Sequence, residues 1–124
     1  YLHQTWAYES DSDHPDFYRY DNNQAKMYEC VKLTSEKAAK VIGADIIPTG
    51  TVIQTLREKV SEFDYKNGGK SLCRDGCHLS LDYGRFAAAA IWLHILSNKK
   101  IVLEEFEDLN QELLEKNVKV VNEI

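Results

Sequence analysis

Apolar positions at three- and four-residue steps mark most of this chain's elements. Met27, Tyr28, Val31, Ala38, Val41 and Ile42 follow that rhythm across 22–42, with Asp21 or Asn22 as N-cap and Gly43 as the stop. Val52, Ile53, Leu56, Val60 and Phe63 line one face of a second predicted helix over 51–63, opened by the capping-box spacing of Thr51 and Gln54. A third helix is predicted over 82–96, capped by Ser80 or Asp82, with Phe86, Ala87, Ala90, Leu93 and Leu96 on one side. Trp92 and Ile95 broaden its stripe, and His94 within it reads as a core or interface histidine. Leu103, Phe106, Leu109, Leu113 and Val121 predict a final amphipathic helix whose Glu and Lys residues form a solvated face.

Two stretches read as strands. Residues 1–8 are aromatic-rich with a β-branched Thr5, and 44–48 is short and apolar before Pro48-Thr49-Gly50. Strand, helix, strand, helix is the grammar of a parallel sheet, and function in such sheets gathers at the carboxyl ends of the strands. The polar loops 9–16 and 48–51 leave those ends. Loop 9–16 holds His14 among Asp11, Asp13 and Asp16, for which a solvated loop is the expected role.

Composition narrows the function. The chain has 124 residues, 44% of them apolar, enough for one packed domain. A net charge of −5 argues against a nucleic-acid surface, and no apolar run is long enough to span a membrane. Cys30, Cys73 and Cys77 make an odd count without zinc spacing. They read as free thiols, because a disulfide closing the 73–77 loop would be strained. The chain opens on Tyr1 and shows no signal peptide, so its true beginning is expected to lie outside it.

The chemistry concentrates in Cys73-Arg74-Asp75-Gly76-Cys77-His78-Leu79-Ser80. Gly76 lets the backbone bend so that the Asp75 carboxylate can hold one ring nitrogen of His78 and leave the other free as a base. Leu79 and Leu81 are expected to anchor the loop from below. Arg74-Asp75-Gly76-Cys77-His78-Leu79-Ser80, then Tyr83-Gly84-Arg85 and an alanine-rich helix, resembles the last sequence block of the SGNH (GDSL-type) hydrolases. The likeness is to the subgroup common in gut Bacteroidetes. His3-Gln4-Thr5-Trp6-Ala7-Tyr8 resembles the strand after that family's Asn block, and Ile47-Pro48-Thr49-Gly50 its final strand and turn.

The resemblance implies an α/β fold of the three-layer α/β/α flavodoxin-like SGNH type. This chain would be its C-terminal portion over 1–124, with about two parallel strands and four helices, and 97–124 a helical extension. It also implies a serine hydrolase, an esterase or acetylesterase acting on small-molecule or carbohydrate esters, in the periplasm or secreted, with no metal or organic cofactor. Asp75 would be the orienting acid and His78 the general base of a Ser-His-Asp triad. The nucleophile motif and the oxyanion donors of that family are absent from the 124 residues. A missing N-terminal segment or a second chain is therefore expected to supply them and complete the sheet, and the fragment alone is expected to be inactive. Two other readings stand beside this one. One is a noncatalytic α/β binding or assembly module. The other is a metal-dependent hydrolase using His3, Asp13, His14, Asp75 and His78.

Overall fold

The computed structural model describes residues 1–106 and 108–124. Its elements are β1 (Leu2–His3), α1 (Gln24–Ile42), β2 (Ile46–Ile47), α2 (Thr49–Lys59), α3 (Tyr83–Ser97) and α4 (Gln111–Glu123), with 3-10 turns at Phe17–Tyr20, Ser61–Phe63 and Tyr65–Asn67. The strands pair parallel, Leu2 opposite Ile46 and His3 opposite Ile47, so the expected mixed α/β arrangement is observed. Both are shorter than the sequence predicted. Beyond His3 the chain leaves the ladder, and Gln4 N–H makes the last bond, to Ile47 O at 3.0 Å.

That departure comes from a close approach. Gly50 N–H donates to Gln4 O at 3.1 Å, and a Cβ on Gly50 would lie 1.9 Å from Thr5 O. Only glycine lets the first turn of α2 sit against this segment. The predicted capping box is not formed. α2 begins two residues earlier, at Thr49, and the Thr51 N–H and hydroxyl are both taken by Gln4 Oε1 at 3.0 Å. The side-chain carbonyl of a neighbouring segment thus satisfies a helix donor that a cap would otherwise serve. At α1 the cap is Asn23, whose side chain accepts from Lys26 N, rather than Asp21 or Asn22; Gly43 closes the helix as expected.

The main core is helical. Val52, Ile53 and Leu56 of α2 meet Ala87 and Ile91 of α3 and Leu114 and Val121 of α4, all fully enclosed. The last helix is therefore part of the core. Lys116 pairs with Glu62, and the buried Asn117 donates to Tyr83 O at 3.3 Å. Among the described residues α4 starts only at Gln111, where the Asn110 side chain accepts from Leu113 N. Ile101 and Leu103 pack against the core without a helix. Phe106 lies edge-on to Phe86 at 5.7 Å, and Asn122 holds both the N–H and the C=O of Ile101. Helical spacing in 103–109 reflects this packing.

The face of α3 also differs from the prediction. Tyr83, Gly84, Ala87, Ala90 and Ile91 are buried, whereas Leu93 and Leu96 are exposed. The helix is apolar almost all round, so periodicity could not select its inner side. No helix among the described residues is long and apolar enough to cross a membrane.

Candidate active site

The loop between the third 3-10 turn and α3 is bent into a tight hairpin. Arg74 N–H donates to His78 O at 2.9 Å and Ser80 N–H to Leu72 O at 2.8 Å, with Cys73 bridged antiparallel to Leu79. Gly76 sits at the tip with φ of 81°, a left-handed conformation that strains any side chain. Leu79 anchors the loop in the core. Leu81 does not: it is exposed, because the chain turns there into α3. Both expected caps act, Ser80 Oγ accepting from Gly84 N and Asp82 from Tyr83 N.

Asp75 and His78 are brought together. Asp75 Oδ1 accepts the backbone N–H of Cys77 at 3.0 Å and of His78 at 2.7 Å, and Oδ2 lies 2.6 Å from His78 Nδ1. The backbone donor of His78 is the largest cause holding the Asp75 carboxyl well below its ordinary range, followed by that of Cys77 and the His78 ring. Asp75 is thus a fixed anion facing Nδ1, which puts the proton on Nδ1 and leaves Nε2 as the lone-pair nitrogen. The His78 side chain is 65% exposed.

Residues that sequence reasoning did not single out tie this loop to the chain leaving β1. Trp6 Nε1–H donates to Cys77 O at 2.7 Å, and Glu9 N–H to Gly76 O at 2.8 Å. Glu9 is itself buried. Its carboxylate accepts from Gln24 Nε2, Ser10 N and Ser71 Oγ and lies 3.6 Å from Arg57 Nη2. Arg57, on α2 and equally buried, also donates to Ala7 O at 2.9 Å and to Cys73 Sγ at 3.3 Å. One signal was present: Arg57 falls four residues after Ile53 and three before Val60, a charge on a buried stripe, which needs a partner. Residues 73–76, Glu9, Asp11 and Tyr65 line a polar recess of about 250 Å³, and His78 is not among the residues that line it.

The thiols are free. Burial pushes the Cys73 thiol up to about 11, so it is inert. Cys77 is half-buried, with Sγ 3.3 Å from His78 Nδ1, and burial first, then its bond to Asp75, raises its pKa. It meets the nitrogen that Asp75 already holds, which is the wrong one for a Cys–His nucleophile. The set proposed for a metal-dependent hydrolase does not assemble. His3 Nε2 is bonded to Thr49 Oγ1 at 2.8 Å, and His14 Nδ1 accepts from Asp16 N while its ring lies on Tyr8.

Fold and site define a mixed α/β protein that displays an ordered Asp–His pair on a loop moored to the segment that follows its first strand. Residues 1–120 match the model of DUF4886, a domain of unknown function, and the chain belongs to that family. It is 34% identical to a DUF4886 family protein from Bacteroides uniformis whose crystal structure superposes with a TM-score of 0.86. The match covers 98% of this chain and 45% of that one, so the chain spans less than half the length of its solved relative. A comparison with curated proteins finds no match.

The family match overturns the assignment to the SGNH hydrolases. That assignment rested on blocks of a few residues, whereas the DUF4886 match runs over 1–120. Neither it nor the solved relative carries an SGNH designation, and neither marks this stretch as the C-terminal half of such an enzyme. A short Asp-x-x-His loop is a local solution to orienting an imidazole, and it does not identify a family.

Proposed function

We propose that Asp75 and His78 are the acid–base half of an ester-hydrolysing centre whose serine nucleophile comes from polypeptide outside these 124 residues. The reading is carried by the 2.6 Å contact between Asp75 Oδ2 and His78 Nδ1, which leaves Nε2 as the acceptor. Nε2 takes the serine proton as the oxygen attacks the ester carbonyl, then returns it to the departing alcohol of a small-molecule or carbohydrate ester. Asp75 keeps the ring in the right tautomer and stabilises its charged form. Ser80 is unsuited to be the nucleophile, because it is buried and spent on Gly84 N. The sheet supports an outside contribution. Among the described residues it has only β1 and β2, and sheets this small are marginal alone. Further strands beside β1 would complete a three-layer α/β/α arrangement and carry the serine to the loop.

A noncatalytic binding or assembly module has one observation in its favour, the exposed apolar side chains Trp92, Leu93 and Leu96 along α3. Fluorophosphonate labelling separates the two. The native polypeptide that carries these residues is expected to be labelled on a serine outside them, and the 124-residue chain alone to remain unlabelled. Stoichiometric label on Ser80 or another serine within the 124, or none on the native polypeptide, overturns the reading.

A further inference from the structure

Asp75, Cys77 and His78 place a carboxylate oxygen, a thiol sulfur and an imidazole nitrogen within 4.8 Å of one another, the one such mixed cluster among the described residues. Sγ stands 3.3 Å from His78 Nδ1 and 3.4 Å from Asp75 Oδ1. For a tetrahedral Zn²⁺ with its usual bond lengths, sulfur–nitrogen and sulfur–oxygen edges come to about 3.5 Å and the nitrogen–oxygen edge to about 3.3 Å. The sulfur edges, to Nδ1 and to Oδ1, are therefore already near length. The other carboxylate oxygen, Oδ2, lies 2.6 Å from Nδ1, and a metal on Nδ1 would take the place of the proton between them.

We infer that these three side chains form a site for a borderline-soft divalent cation of the Zn²⁺ kind, with water as the fourth ligand. Thiolate and imidazole select Zn²⁺ over Mg²⁺ or Ca²⁺, which take oxygen ligands. The three donors come from four consecutive residues, so little chain has to be ordered. Asp75 is held by two backbone amides, Cys77 by Trp6 through its carbonyl, and Gly76 by Glu9. Binding releases the Cys77 thiol proton and the His78 Nδ1 proton to solvent, with no change of oxidation state. It also takes Nδ1 away from Asp75. On the reading of the pair as a catalytic acid and base, and only on that reading, the cation is an inhibitor.

Cobalt titration of the reduced, metal-free chain tests the site without any activity assay. Co²⁺ is expected to give a thiolate-to-cobalt charge-transfer band and tetrahedral d–d bands, both lost on adding Zn²⁺. Removing a direct ligand should cost at least what losing an outer-shell partner costs, so Cys77→Ser should abolish the charge-transfer band and weaken Zn²⁺ binding about tenfold or more. Cys30→Ser, on the exposed face of α1, should change neither. No charge-transfer band in the parent chain, or a band that survives Cys77→Ser, overturns the inference. A band from a chain whose native polypeptide fails to hydrolyse esters supports the cation site and sinks only the hydrolase reading.

Discussion

The carboxylate of Asp75 grips His78 twice, accepting its backbone N–H at 2.7 Å and facing its Nδ1 at 2.6 Å. One side chain therefore sets both where the histidine sits and which nitrogen carries its proton. Asp75→Asn keeps an oxygen for the amides but can turn an NH₂ toward the ring. The expected result is an unchanged fold with His78 shifted from the Nδ1–H to the Nε2–H tautomer, read from its ¹⁵N chemical shifts. An unchanged tautomer would show that something other than Asp75 orients the ring.

The same geometry fixes a pH response. Asp75 has its carboxyl depressed below the ordinary 3.8, so its contribution to loop order is present above that value and is lost as pH falls through the lower folded value. The side-chain carboxyl ¹³C signal of Asp75 is expected to show no carboxyl titration through the usual carboxylate range and to titrate only below it. A titration centred at or above the ordinary value would contradict the observed hydrogen bonding.

Beneath the loop, Arg57 and Glu9 are a buried pair, 5% and 3% exposed. Arg57→Met should destabilise the chain by about 3 kcal/mol in urea unfolding, because it strands a buried carboxylate. It should also loosen the hairpin, seen as faster amide exchange at Gly76 and Cys77. Joint replacement of Glu9 and Arg57 by Gln and Met should cost less than the single Arg57 change. A neutral Arg57→Met would mean that the pair is not what holds the loop.

Gly50 carries the close approach between α2 and the segment after β1. A methyl group there meets the Thr5 carbonyl at 1.9 Å, and backbone on both sides leaves little room to yield. Gly50→Ala is expected to lower stability by roughly 3 kcal/mol, at the upper end of overpacking costs, measured by thermal melting. A loss near zero would show that the two segments separate freely.

Much of this was legible in the sequence, and the failures have particular causes. The parallel strands, α1, α2 and the Asp75–His78 contact follow from local patterns: apolar periodicity, Gly43 at a helix end, and an acid three residues before an imidazole around Gly76. What was missed depends on partners distant in sequence. Thr51 serves Gln4, 47 residues away, instead of a capping box. Trp6 reaches Cys77 across 71 residues, and no local pattern announces it. Leu103 and Phe106 kept helical spacing because they pack on α3, and an all-apolar α3 gave no signal for which side faces inward.

The central claim is that His78 is a base and Asp75 its orienting acid. The most direct test is turnover of p-nitrophenyl acetate by the native polypeptide carrying these residues, compared with its His78→Ala variant at equal folded fraction by circular dichroism. Loss of a positioned general base should cut kcat about 100- to 10,000-fold while leaving the fold intact. Parent-like turnover by His78→Ala, or no turnover by the parent protein, would contradict it.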